Sequence, residues 1–302
     1  MYRKPQVMQQ CDKGYTMENT DSVGGYKRFE RVYPPAAIPE GSVLWFPQQN
    51  NKLLVHVHDD KISLLEGDAL LIASLPHQSP LYIGRLNGQP CLATIIDPDA
   101  SLPEDWKAIG LRELYRRTTD IEYNIASYAA QLINWHRISR YCPVCSAPME
   151  PVPGGWGRRC TRGDYSGYPP VIPAIIVLIH DGDRILMGHK PGWGDRYGLI
   201  AGFVEPGEML EECVEREVKE ETGIAVTDLV YVTSQPWPFP SQLMIGYMAR
   251  YKEGTFQPTD DELDDIRWFT RDNLPELPPP SSLAYELITL WLKQQSVKED
   301  AK

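Results

Sequence analysis

From Ser42 to about Asp99, short apolar runs (S-V-L-W-F-P, K-L-L-V-H-V, A-L-L-I-A-S-L, C-L-A-T-I-I) alternate with turn residues. Runs this short, bounded by Gly, Pro, Asn and Asp, predict the strands of a small β-rich domain. From about Ile121 to Arg137 the period changes: Tyr128, Leu132 and Trp135 recur near every 3.6 residues, which predicts a helix. Residues 138 to 170 form a connector marked by Gly, Pro and Cys. Beyond it, V-I-P-A-I-I-V-L-I-H-D-G-D-R-I-L-M-G-H predicts a hairpin turning at Asp181-Gly182. Leu210, Val214 and Val218, four apart, predict an amphipathic helix, and Gly223 is placed to end it in a left-handed cap. Strand patterns resume at Leu229 to Thr233 and Leu243 to Arg250. A last helix is expected after L-P-P-P, capped by Ser281 or Ser282 and running through A-Y-E-L-I-T-L-W-L.

Strands alternating with helices after residue 170 predict a mixed sheet flanked by helices, so the fold class is α+β. Four segments are expected: 1–34, polar, aperiodic and without stable structure; 35–137, β-rich with a closing helix; 138–170, the connector; and 171–302, the helix-flanked sheet. One stretch fits neither pattern. In S-Q-P-W-P-F-P-S-Q, residues 234–242, three prolines interleave with two aromatics, and proline has no N–H to give a ladder. The stretch is therefore expected outside the sheet, with Trp237 and Phe239 available to a partner surface.

The chain has 302 residues, 42% of them apolar, enough for two domains and a small module between them. No apolar run reaches the ~18–20 residues of a membrane helix, and the N-terminus lacks the apolar core of a secretory signal. A soluble cytoplasmic protein with no membrane partner is expected. A net charge of −11 argues against a surface that wraps nucleic acid throughout. Locally the balance reverses: Arg112 to Arg162 holds eight arginines against four acids, either a patch for phosphates or a solvated face. Six cysteines read as metal ligands or buried thiols before disulfides, with Cys11, Cys91 and Cys213 as ordinary thiols. His136 and His189 show no metal spacing and read as structural.

Glu217, Glu220 and Glu221 stand at i, i+3 and i+4, on one helix face. Carboxylates this close raise one another's pKa unless a cation is present. A solvated acidic helix would interleave lysines, and only Lys219 does so. A cage of hard oxygens for Mg²⁺ or Mn²⁺ explains the set better.

The whole segment from Gly202 to Ile224 fits G-x5-E-x7-R-E-U-x-E-E-x-G-U, with Gly202, Glu208, Arg216, Glu217, Val218, Glu220, Glu221, Gly223 and Ile224 at the specified positions. It resembles the Nudix box. The resemblance implies an α/β/α sandwich and metal-dependent hydrolysis of a nucleoside diphosphate linked to another group. It also implies Glu217 and Glu221 as principal metal ligands with Glu220 beside them, Ala201 contributing its backbone, and Arg216 orienting the glutamates. A later carboxylate, Glu262, falls where similar sequences place one, with Asp261 and Asp264 as competitors.

Two further motifs resemble the NADH pyrophosphatase branch of that family. Cys142, Cys145 and Cys160 are similar to a zinc ribbon whose fourth position is Gly163 here; one missing ligand argues against a closed site and for substoichiometric zinc, unless Asp164 or a partner supplies it. S-Q-P-W-P-F-P matches the branch's S-Q-P-W-P-F-P-x-S, except that Ser241-Gln242 ends it where the serine belongs one place later. Y-P-P at 168–170, A-G-F at 201–203 and L-P-P-P-S-S-L-A at 277–284 also match. The resemblance implies cleavage of NAD(H) to AMP and nicotinamide mononucleotide, and in some members removal of NAD caps from RNA. It implies Tyr168 and Phe203 at the nicotinamide end and a pocket lined by Gln235, Pro236, Trp237, Pro238, Phe239, Pro240, Ser241 and Gln242. It further implies Trp237 reaching across a homodimer, a backbone contact from Ala284, and Arg112 toward ligand. Aromatic faces on either side of a metal cage suit two flat rings joined by a diphosphate. The alternatives are a Nudix hydrolase for ADP-ribose or dinucleoside polyphosphates, or a non-catalytic Nudix ligand sensor.

Overall fold

The computed structural model describes residues 29–33, 39–115, 117–257 and 262–300. The chain divides into two compact units, Met1–Gly167 and Tyr168–Lys302. The first unit has an eight-stranded sheet: β1 (Phe29–Arg31), β2 (Val43–Gln49), β3 (Lys52–His58), β4 (Lys61–Ser63), β5 (Leu65–Gly67), β6 (Leu81–Leu86), β7 (Gln89–Ile95) and β8 (Trp106–Ile109). Its order is β1-β6-β7-β2-β3-β4, with β5 on β2 and β8 on β3. Val43, Trp45, Leu54, Leu65, Tyr82, Leu92 and Trp106 form its core.

Two expectations are corrected here. Phe29–Arg31 is a strand paired with β6, inside a segment expected to lack structure; residues 1–28 lie outside the described ones. The run A-L-L-I-A-S-L is no strand, because Leu70–Ala73 forms a short helix, α1. Asp68 starts it, accepting from Leu70 N through its carboxylate at 2.9 Å and from Leu71 N through its carbonyl at 3.2 Å. A side chain that satisfies the first free N–H groups of a turn competes with the ladder.

A second short helix, α2, covers Leu111–Leu114, and α3 covers Asp120–Ile138. The Thr119 hydroxyl accepts from Glu122 N while the Glu122 carboxylate accepts from Thr119 N, a reciprocal cap. A three-stranded module follows, β9 (Met149–Pro151), β10 (Arg158–Cys160) and β11 (Ser166–Gly167). Trp135 Nε1 donates to Trp156 O at 2.6 Å, and Trp156 Nε1 to Tyr128 Oη at 3.0 Å, which ties the module to α3. His136 is structural as expected. Its Nδ1 lies 3.0 Å from Arg158 Nη2, which can only donate, and burial, with Arg158 and Arg140 nearby, lowers its pKa.

The second unit is a six-stranded mixed sheet: β12 (Ile172–Asp181), β13 (Arg184–His189), β14 (Ile200–Phe203), β15 (Ala225–Trp237), β16 (Gln242–Glu253) and β17 (Asp265–Thr270). Its order is β15-β16-β12-β13-β17, with β14 on β12. Helices α4 (Leu210–Thr222) and α5 (Leu283–Asp300) pack on opposite faces. The pattern of β12 explains the three layers. Ile175, Val177 and Ile179 join Cys213, Val214 and Val218 of α4 in one core. The alternate residues Ile176 and Leu178 join Leu283, Leu287, Ile288 and Trp291 of α5 in the other. A continuous apolar run is what a strand buried on both faces requires. Burying each large apolar side chain contributes about 1.5–3 kcal/mol.

The β12–β13 turn sits one residue later than expected: Asp181 pairs with Arg184, leaving Gly182-Asp183 as the two-residue loop. The cap of α5 resolves to Ser282, whose Oγ accepts from Tyr285 N at 3.3 Å. The proline stretch departs furthest. Pro236 pairs with Leu243 and Trp237 with Gln242, so β15 runs through half of it. Among the described strands β15 is the sheet edge, paired on one side by β16, and an edge strand tolerates a residue without an N–H. The chain reverses over Pro238 to Ser241, with a cis Phe239-Pro240 peptide.

Candidate active site

The site is organised by α4 and the strand it covers, β14. Gly223 ends α4 with φ of 78°, as expected; a Cβ there would stand 2.5 Å from Gln257 O. Arg216 is the hub. Its Nε donates to Glu208 Oε1 at 2.7 Å and its Nη2 to Glu208 Oε2 at 2.9 Å. Nη1 donates to Glu217 Oε1 at 2.8 Å and to Glu220 Oε2 at 3.0 Å. Nη2 also reaches Phe203 O at 2.9 Å, joining helix to strand. The guanidinium is thus hydrogen-bonded to three glutamates at once.

Gly202 shows how tightly β14 and α4 are fitted. A Cβ there would lie 1.9 Å from Glu217 Cδ, so the Glu217 carboxylate rests against the bare backbone. Glu221 is buried at 2% exposure. Lys190, just after β13, places Nζ 3.6 Å from Glu221 Oε1 and 2.8 Å from Glu262 Oε2. Glu262 is therefore brought to the cage. Asp264 is not, because its carboxylate bonds His189 Nδ1, and His189 Nε2 donates to Gly194 O at 2.6 Å. Asp261 lies outside the described residues.

The electrostatics follow this geometry. Hydrogen bonds from Arg216 depress Glu208 to a pKa of about 2. Burial raises Glu217 and outweighs Arg216, with the charges of Glu220 and Glu262 adding to the rise. Burial opposes the charge on Lys190, but the bond to Glu262 and the nearby Glu221 outweigh it, and its pKa rises. Asp264 foremost, then Gly194 O, raises His189. Five carboxylates (208, 217, 220, 221 and 262) thus share two cations, Arg216 and Lys190. Hard oxygen donors in excess of positive charge fit a divalent ion, and Glu217, Glu220, Glu221, Glu262 and the Ala201 backbone are the groups that could hold it.

The other expected site residues divide. Phe203 and Tyr168 are exposed aromatics, at 51% and 65% exposure. Trp237 and Phe239 meet edge to face with centroids 5.1 Å apart, both part-buried. Pro238 and Ser241 are buried, while Pro236 and Pro240 are exposed. Gln242 opens β16, and Ser241 O accepts from Ile172 N at 2.8 Å. Gln235 serves the fold, since its Nε2 donates to Ser281 O and its Oε1 accepts from Leu283 N, both at 2.9 Å, which caps α5. Ala284 is on the first turn of α5 and faces the core. Arg112 is exposed on α2 in the first unit. Sequence reasoning missed Lys190 and gave Glu208 no role. A basic residue at a strand end before Pro-Gly was the one available signal for Lys190.

In the first unit the sulfurs of Cys142, Cys145 and Cys160 all lie within 4.8 Å of one another. Arg162 N donates to Cys160 Sγ at 3.3 Å, and Cys145 Sγ stands 3.4 Å from it. Burial opposes the Cys160 thiolate, yet these contacts outweigh it and lower its pKa, while the Asp164 carboxylate foremost pushes Cys145 up to about 12. Three converging thiols fit a soft-ligand metal such as zinc.

Comparisons with known proteins agree with this geometry. A NUDIX domain model matches residues 170–292. A NADH pyrophosphatase-like rudimentary NUDIX domain matches 42–135, and a NADH pyrophosphatase zinc ribbon domain 137–168. A NAD-capped RNA hydrolase NudC of Pseudomonas fluorescens is 39% identical over 241 residues, covering 79% of this chain and 87% of that one. The chain belongs to the Nudix hydrolase family. Another relative of the same description, from Pseudomonas aeruginosa, is 34% identical over 276 residues and covers 91% of this chain and 97% of its own. A Nudix hydrolase structure from Nitrosomonas europaea is 20% identical with a TM-score of 0.39, covering 45% of this chain and 80% of its own. The family match accounts for the α4 carboxylates, and two of the three models carry the NADH pyrophosphatase description to which S-Q-P-W-P-F-P pointed. No described helix is long and apolar enough to cross a membrane.

Proposed function

We propose that the protein hydrolyses the diphosphate of NAD(H) to AMP and nicotinamide mononucleotide, and removes NAD caps from RNA 5′ ends. The observation that carries this reading is the Glu217–Glu220–Glu221–Glu262 cage, ordered by Arg216, in a chain 39% identical to a NAD-capped RNA hydrolase. Mg²⁺ or Mn²⁺ held there would neutralise diphosphate oxygens and supply a water at neutral pH. The protein's own part is positional. Arg216 fixes the Glu217 and Glu220 carboxylates, Gly202 lets Glu217 seat against β14, and Glu221 is the buried member of the set. Tyr168 and Phe203 offer faces for the nicotinamide ring, and Trp237 with Phe239 offers a stiffened wall.

On this reading the enzyme is a homodimer, with Trp237 completing the partner's pocket, and Arg112 meets the phosphates of capped RNA. Zinc held by Cys142, Cys145 and Cys160 stiffens the connector. Cys91 and Cys213 are buried free thiols, as a reducing cytoplasm would keep them.

Hydrolysis of NADH in ¹⁸O-water, with product masses, tests the activity and assigns the attacked phosphorus. Release of labelled AMP or labelled reduced nicotinamide mononucleotide supports it. ADP-ribose cleaved as well as NADH would transfer the reading to another Nudix specificity, and tight binding without turnover would make the protein a sensor. Glu221→Gln is expected to abolish turnover with the circular dichroism spectrum unchanged.

A further inference from the structure

The two cations of the carboxylate cage are held in different ways. Arg216 is anchored by the pair of parallel bonds to Glu208 and by the Phe203 carbonyl, so it cannot leave without unmaking the β14–α4 contact. Lys190 has no such anchor for its charged end. Its described charge partners are Glu262, at 2.8 Å, and Glu221, at 3.6 Å. Both are groups that the proposed function assigns to a divalent ion.

The root of the Lys190 side chain is nonetheless fixed. Asp264 N donates to His189 O at 3.1 Å, and the His189 ring is bonded to the Asp264 carboxylate and, at 2.6 Å, to Gly194 O. The strand end is thus pinned from both directions. From a fixed root, a flexible four-carbon stem delivers a compact ammonium with three rotatable donors. It can fill the space between Glu221 and Glu262, and it can withdraw: the side chain is about one-third exposed, whereas that of Glu221 is nearly fully buried.

We propose that Lys190 is a built-in counter-cation of the Glu221–Glu262 pair, which a divalent ion must displace, so that Lys190 sets the metal concentration the site requires. This rests on the reading of the cage given above. One positive charge cannot neutralise two carboxylates, and a divalent ion can; the exchange therefore runs toward the metal once its concentration is sufficient. Until then the ammonium stands between the buried Glu221 carboxylate and that of Glu262 and offsets part of their charge. A ligand that binds only the fraction of molecules with Lys190 withdrawn shows an affinity reduced by that fraction. Arg216, on the Glu217–Glu220 side, imposes no such competition because its bonds to Glu208 hold it in place.

The test is Mn²⁺ binding to the full-length protein without substrate, followed by the paramagnetic resonance signal of free Mn²⁺. Lys190→Met is expected to tighten binding by about tenfold, within the range over which groups just outside a metal site act. Lys190→Arg, which keeps the charge, should stay within about twofold of the parent. In a Glu262→Gln background the Lys190→Met effect should shrink, because the pair it acts through is broken. Lys190→Gln serves as a second neutral variant should Lys190→Met fold poorly. An unchanged or weakened Mn²⁺ affinity in the neutral variants would overturn the inference. If the parent cleaves no dinucleotide but the neutral variants still bind Mn²⁺ more tightly, the proposed activity fails and this inference stands. If the parent cleaves NADH and the affinity does not move, the inference fails alone.

Discussion

Glu208 and Arg216, eight residues apart, meet through two parallel hydrogen bonds of 2.7 and 2.9 Å. The pairing aims the guanidinium so that its remaining nitrogen reaches Glu217 and Glu220. Such a planar fork has no equivalent in lysine. Arg216→Lys is therefore expected to lower kcat by at least about tenfold while the protein still folds. Steady-state kinetics beside a melting curve checks this.

The same pair has a signature in acid. Glu208 is depressed to about 2 in the folded protein, below the ordinary carboxylate value of about 4.3. A depressed carboxylate contributes stability that is complete above its unfolded value and is lost as pH falls through its folded one. The stability gap between the parent and Glu208→Gln should be constant above about pH 5 and close as pH falls toward 2. Chemical denaturation across that range measures it; a gap independent of pH would dismiss the ion pair.

Gly202→Ala puts a carbon 1.9 Å from Glu217 Cδ, a distance no packing tolerates. Either the carboxylate swings away or β14 shifts from α4. A displacement of about 1 Å at a reacting centre costs about a hundredfold in rate. The expected result is a loss of that size in kcat with weaker Mn²⁺ binding and a much smaller change in melting temperature.

Trp237 is part-buried against Phe239, so removing it should not unfold the edge hairpin. Loss of one ring-stacking face costs about 1–3 kcal/mol. Trp237→Ala should raise KM for NADH by about tenfold or more on that scale and leave hydrolysis of a small diphosphate ester nearly unchanged. Equal losses on both substrates would return the loop to a purely structural part.

At Gly163, the place of the fourth ribbon ligand, a Cβ would meet nothing within 4 Å, but φ is +84°. Gly163→Cys therefore has room at the cost of backbone strain of about 1–3 kcal/mol. The variant should bind Co²⁺ more tightly than the parent, with thiolate charge-transfer absorption rising from three sulfurs to four. No gain in absorption would mean that Cys142, Cys145 and Cys160 do not converge on one ion.

Periodicity made the elements that bury apolar faces readable. The four-residue repeat of Leu210, Val214 and Val218 gave α4, and the run around Ile175 to Ile179 gave a strand of the hairpin, which the fold then covers on both sides. It failed at Leu70–Ala73, where a single Asp68 carboxylate outweighed a strand-like run. It failed again at Pro236, because edge or interior position is a property of the whole sheet and not of the segment. The carboxylates of the site were legible because one helix presents them all. Lys190 was not, since its partners Glu221 and Glu262 are 31 and 72 positions away. The part Gln235 plays in the fold was hidden for a related reason: its amide caps a helix that begins 48 residues later.

The course of β15 limits how this sheet can grow. Its last residues lie at an open edge, where a second chain would ordinarily add a strand by matching donors to acceptors. Pro236 has no hydrogen to offer and Pro238 begins the reversal just beyond, so that end of the edge is a poor template for strand addition. A protein or a nucleotide that meets this corner must do so through ring faces, and Trp237 and Phe239 are the rings that stand there.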